Sequence, residues 1–185
     1  MPTDRRTLLA DAAITVLTES GMRGLTHRAV DRAAGLPPGT TSAYLRTRTA
    51  LLTALVRRLV ALDQAELEEI GGRTPVPRDA EELAAGLVAF VERRLTGDGR
   101  RRSLARYACA LESVHHPELR EILVPRANTA RQAVQDFLAA QGLPDAAERT
   151  VTLLTCVDGL VFDRLVNGGT VSAQEVRRLV TAAVR

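Results

Sequence analysis

The chain is predicted to be all-α, an N-terminal three-helix helix-turn-helix unit followed by a helical second part, and three observations in its 185 residues carry that expectation. Residues 26–52 read as two short helices and the capped opening of a longer third, with a tight glycine-containing turn between the first two. Elsewhere apolar residues recur at helical spacing, and no alternating strand pattern or internal repeat competes. Basic charge gathers at the end that holds the short helices. Residues 1–60 carry nine Arg against Asp4, Asp11, Glu19 and Asp31, net +5; the remainder carries 16 Arg against 18 acids, net −2, which together give the formal +3.

The first helix is expected from Asp4 to Ser20, with Leu9, Ala12, Ala13, Val16 and Leu17 as one apolar stripe and Gly21 as its stop. Thr26 stands as the N-cap of the second, in which Ala29, Val30 and Ala33 recur until Gly35, whose missing Cβ suits a left-handed position after the last turn. Pro37 and Pro38 cannot continue that helix but suit the first turn of the next, expected from near Pro38 to near Leu45. Its early residues, Gly39, Thr40, Thr41, Ser42 and Ala43, are small, so its backbone can approach a groove wall with hydroxyls as donors; Tyr44 is its one large polar residue. Thr47 reads as the next N-cap, after which Leu51, Leu52, Leu55, Leu59 and Leu62 run toward Ile70 and stop at Gly71 and Gly72. At about 1.5 Å per residue this helix would be about 30 Å long, enough to connect two bodies. The expected organisation is therefore a head at 1–47, a connecting helix at 48–72, a linker around 71–77, and a second helical domain at 73–185.

Five further helical segments are expected. They run from Asp79 to Leu95, from Arg101 to His115, and from Glu118 to Gln141 with an interruption at Pro125; a fourth, capped by Asp145, reaches Asn167, and the last opens on a Ser172/Glu175 capping box. The stretch Val151–Val166 is apolar on more than one face, which calls for burial on two sides. A partner subunit is one way to supply the second side. Together with the Val176, Leu179, Val180 and Ala183 stripe of the last helix it would form a four-helix bundle between two copies; an ordinary central core helix is the other reading.

Several classes are disfavoured. No apolar run approaches bilayer length and no signal-peptide core opens the chain, so a soluble cytoplasmic protein without membrane association is expected. Cys109 and Cys156 lie in separate apolar segments and read as free buried thiols, and nothing shows paired Cys/His zinc spacing, so no metal or cofactor is expected. His27, His115 and His116 make no catalytic constellation with either cysteine, which argues against an enzyme.

The helix-turn-helix pattern with its basic surround makes duplex DNA the first partner to consider. The first 60 or so residues also resemble the DNA-binding domain of the TetR family of repressors. Leu25–Thr26 opens the second helix, Ala33–Ala34–Gly35 closes it, Gly39–Thr40 lies in the third, and Thr47 to Leu52 is similar to the family's opening of the fourth. The resemblance implies phosphate contacts for Thr26, Thr40, Tyr44 and Arg48, and base reading by Arg28, Thr41, Ser42 and Ala43. Thr26 and Thr47 are also simple caps, Arg28 also reads as a solvated surface charge, and Tyr44 could instead pack against the first helix, though an exposed phenol reaching a phosphate fits better. The chain departs from the family where Pro37 and Pro38 replace Ser-Lys, Ser42–Ala43 replaces a pair of aromatics, and Leu45 replaces Phe.

The function these features imply is that of a homodimeric, ligand-responsive repressor on a palindromic operator, released by a small-molecule effector held in the C-terminal ligand-binding and dimerisation domain. Phe90, Tyr107, Leu111, Thr155, Asp158 and Phe162 are the expected lining of its pocket, Asp158 because an acid in so apolar a run needs a partner. A helical protein-interaction adaptor without sequence-specific DNA binding is the alternative, since the same apolar faces could dock another protein.

Overall fold

A computed structural model describes residues 4–71, 77–123 and 129–185, and among these the chain forms ten helices and no strand. They are α1 (Arg5–Gly24), α2 (His27–Ala33), α3 (Thr40–Tyr44), α4 (Arg48–Gly71), α5 (Ala80–Leu95), α6 (Gly97–Glu112), α7 (Pro117–Leu123), α8 (Thr129–Ala140), α9 (Ala146–Asn167) and α10 (Ala173–Ala183). Most of the linker expected at 71–77, and Pro125, lie outside the described residues. The expected third C-terminal segment divides into α7 and α8. No helix among the described residues is long and apolar enough to cross a membrane.

The chain divides into two compact units, one of residues 1–65 with 101–125 and one of residues 66–100 with 126–185. The first therefore takes in residues 101–125, which the sequence alone groups with the C-terminal domain. Its core explains why. Leu9, Ala13 and Leu17 of α1 meet Leu25, Val30 and Leu45 from the motif and Leu51, Leu52, Leu55 and Val56 of α4; Ala105 and Cys109 of α6 and Leu119 and Leu123 of α7 complete the same cluster. Burying each of those leucines contributes about 1.5–3 kcal/mol, so the α6 and α7 residues are integral to the unit. Polar ties reinforce the packing. Arg58 of α4 grips Asp11 of α1 through two hydrogen bonds of 2.7 and 3.1 Å. Arg106 of α6 donates to Asp63 of α4 and to the Leu123 carbonyl at the end of α7, both at 3.0 Å.

In the second unit Leu83, Leu87 and Val91 of α5, Phe137 and Leu138 of α8, Leu153, Val157 and Val161 of α9, and Val176 and Val180 of α10 are buried. α10 packs against α5 and α9. Its apolar stripe is thus engaged within its own chain, with Leu179 and Ala183 only half-buried. Asp79 caps α5 by accepting from the Glu82 amide, and the Ser172/Glu175 capping box at α10 is formed in both directions. Asp145 does not cap α9 as expected: its backbone is left-handed at φ 59°, its side chain makes no capping bond, and only its carbonyl enters the helix, accepting from the Arg149 amide. Cys109 is buried, but Cys156 is exposed on α9, against the expectation of two buried thiols.

Candidate nucleic-acid interface and effector site

The motif forms much as its local chemistry dictates. Thr26 accepts a hydrogen bond from the Ala29 amide at 3.2 Å, and α2 runs to Ala33. Gly35 and Gly39 take positive φ angles of 64° and 93°, which turn the chain between α2 and α3 and which a side chain would strain. The first of these meets the sequence expectation. The second explains why α3 starts at Thr40 and not at Pro38: the left-handed Gly39 precedes the helix, and Thr40 closes the turn by donating its amide and hydroxyl to the Pro37 carbonyl. Thr47 caps α4, its hydroxyl accepting from the Ala50 amide at 3.0 Å.

α3 is held by α2 through two side chains to which the sequence alone gives no role. Asp31 is only 2% exposed, and its carboxylate accepts from the amides of Gly39 (2.7 Å) and Thr41 (2.6 Å) and from the Thr41 hydroxyl (2.5 Å). Burial disfavours its charge, but those hydrogen bonds and the nearby His27 outweigh it, and the carboxyl is held below its ordinary value. At the other end of α3, His27 Nε2 lies 2.6 Å from the Leu45 carbonyl. A carbonyl has no proton to give, so Nε2 is the donor. Only the spacing of His27 and Asp31, one turn apart on α2, hints at this in the sequence.

This geometry sorts the residues expected at a duplex. Ser42, Ala43 and Tyr44 are exposed along α3, Tyr44 to 43%, and Thr26 and Arg28 are exposed on and before α2. Thr40 is half-buried. Thr41 is the correction: it is fully buried with its hydroxyl on Asp31, so its side chain has no surface with which to read a base. Arg48 is exposed, and its side chain has partners that the sequence alone does not suggest. Its guanidinium donates to the carbonyls of Leu25 (2.8 Å) and Met22 (2.9 Å), joining the start of α4 to the end of α1. Arg32 on α2 and Arg46 directly after α3 are exposed beside the motif. Neither stands out in the sequence, although each is exposed and bears the charge that backbone phosphates attract.

The six expected pocket residues are not gathered in one unit. Tyr107 and Leu111 belong to the unit that holds the motif, where Tyr107 is half-buried and Leu111 is 71% exposed. Phe90 belongs to the other, half-buried, with the Arg94 guanidinium 5.0 Å from its ring centroid. Thr155, Asp158 and Phe162 are exposed on α9, and with Val151 and Val166 they form a stripe one or two residues out of step with the buried Leu153, Val157, Val161 and Leu165. That offset turns them to an outward face, not to an interior cavity. Two clefts in this unit, of about 340 and about 260 Å³, lie between α9 and α10 and between α5 and α10; none of the six residues lines either.

Comparison with known proteins fits this arrangement. Residues 78–185 match the family described as Tetracyclin repressor-like, C-terminal domain. Among solved structures, a transcriptional regulator from Rhodococcus sp. Rha1 is 25% identical, with 97% of this chain and 94% of that one aligned at a TM-score of 0.78. A TetR-family member from Streptomyces coelicolor A3 is 26% identical over 98% and 99% of the two chains at 0.73. The multidrug binding protein EbrR complexed with ethidium is 25% identical over 98% and 99% at 0.71. No protein of curated function matches the chain. The chain belongs to the TetR family of transcriptional regulators, with that family's all-α fold.

Proposed function

We propose that the chain is a homodimeric repressor that binds a palindromic DNA operator and leaves it when a small-molecule effector binds the C-terminal region. The observation that carries the DNA reading is the α2–α3 surface. A short helix fixed at both ends presents Ser42, Ala43 and Tyr44 outward, and Arg28, Arg32 and Arg46 are exposed around it. Arginines of this kind draw a polyanion and position the protein on its phosphates, while the exposed tip of α3 and Arg28 meet base edges. Thr26 and Tyr44 supply hydroxyls to the phosphates, Thr40 joins them when its hydroxyl turns from the Pro37 carbonyl to a phosphate, and Arg48 acts mainly by fixing the start of α4.

The dimer reading rests on α9. Val151, Phe162 and Val166 are 45%, 47% and 63% exposed on one helical stripe, an apolar face that a second copy would cover. A two-fold dimer on a palindrome sets its two α3 helices about one helical turn of DNA apart, or a small multiple. The effector reading draws on EbrR, described as a multidrug binding protein and complexed with ethidium, proflavin and malachite green. An effector releases DNA only by favouring a different arrangement of the two heads. The test is enrichment of bound sequences from random duplexes by the full-length protein, followed by titration of the enriched duplex and a screen for release. A palindromic enriched sequence bound by a dimer supports the proposal; a purified dimer that enriches nothing favours the adaptor.

A further inference from the structure

We propose that Asp31 and His27 are positioning residues for duplex recognition, a two-ended clasp by which α2 sets the pose of α3; the inference rests on the DNA reading above. A five-residue helix has almost no stability of its own, since isolated helices become even marginal only at about 12–15 residues. Side-chain packing does little to orient α3. Of its five residues only Thr41 is buried, and the next apolar anchor is Leu45, just past its end. What remains is the pair of contacts from α2. Asp31 takes the two amides and one hydroxyl at the start, and His27 donates to the carbonyl at the finish.

The signs suit the positions. An anion sits where free amides leave positive charge at the start of a helix, and a donor sits where carbonyls leave negative charge at its end. Because His27 and Asp31 are one turn apart on one short helix, a change at either would tilt α3 instead of sliding it, and Ser42, Ala43 and Tyr44 would leave their register with the groove. Base contacts tolerate only small displacements, whereas phosphate contacts from long arginines adapt. Loss of the clasp should therefore reduce sequence discrimination more than general affinity.

The test uses full-length protein, a duplex enriched from random DNA by the wild type, and a scrambled duplex of the same composition. The variants are Asp31→Asn, Thr41→Val, His27→Leu, and His27→Gln, which keeps a donor near the Leu45 carbonyl. Variants that melt within a few degrees of wild type should lose about tenfold or more on the enriched duplex and stay within about twofold on the scrambled one. His27→Gln should recover much of what His27→Leu loses. Equal losses on both duplexes that track melting temperature, or no loss on either, overturn the clasp as a positioning device. Thr41→Val removes only one hydroxyl, so it decides the matter even if Asp31→Asn fails to fold. A wild type that enriches no sequence overturns the DNA reading itself, and this inference with it, which is a different result from a wild type that enriches one and variants that match it.

Discussion

Arg46 and Arg48 stand two residues apart at the turn into α4, the function proposed above gives them different parts, and a pair of alanine substitutions separates them. Both are exposed, but both terminal nitrogens of Arg48 also donate to the backbone carbonyls of Leu25 and Met22. Each phosphate contact on duplex DNA contributes about 0.9 to the slope of log affinity against log salt. A dimer loses one contact per protomer, so Arg46→Ala should make that slope shallower by about 1.8, and doubling the salt should shrink the wild-type advantage by about threefold to fourfold. Arg48→Ala should leave the slope in place. It removes two charged donors from carbonyls that water can partly satisfy, a net loss of about 1 kcal/mol, which for a chain of this size lowers the melting temperature by about 2–4 °C. Fluorescence anisotropy on a labelled duplex at four or more salt concentrations, with thermal melts of the same preparations, measures both. A slope that changes with Arg48→Ala and not with Arg46→Ala would refute the assignment.

Three other outcomes are expected. Because the Asp31 carboxyl is held below its ordinary value in the folded chain, its contribution to stability is present above the normal carboxylate range and is lost as pH falls through the folded value; the melting-temperature gap between wild type and Asp31→Asn should be full at pH 6 and narrow only as pH falls below the ordinary value of 3.8. Burial, with Glu112 adding and Arg106 opposing, pushes the Cys109 thiol up to about 12 from 9.0, so its thiolate fraction near neutrality is about a thousandfold lower than that of an ordinary cysteine; one thiol per chain, Cys156, should react with an alkylating reagent under native conditions, and a second fast-reacting thiol in the mass spectrum would count against this core. Phe162→Arg places a charge on the exposed α9 stripe and should shift sedimentation from dimer to monomer without lowering helix content by circular dichroism; an unchanged dimer would show that copies meet elsewhere.

The parts of this chain that are legible in its sequence are those governed by a few neighbouring residues. Thr26, Gly35, Thr47 and the Ser172/Glu175 pair each act within one turn, so residue type and spacing locate those boundaries. The interactions that define the candidate interface span greater distances. Asp31 reaches ten residues ahead to Thr41, and Arg48 reaches back twenty-three to Leu25, and neither has a periodic signature. Thr41 therefore reads as a surface hydroxyl when it is the buried partner of a carboxylate. On α9 the periodicity does reveal two apolar faces, but periodicity cannot say which meets its own chain, and so Thr155, Asp158 and Phe162 read as cavity residues when they face outward.

The unit that carries the motif is assembled from two stretches separated by residues 66–100. Leu119 and Leu123, buried in the same apolar cluster as the leucines of α1 and α4, come late in that order. On the ribosome the core of this unit stays incomplete until well over a hundred residues have been made. A fragment cut at the end of the connecting helix would keep that open face permanently. A portable version of this helix-turn-helix unit, for grafting onto another sensor, needs residues 101–125 supplied along with it.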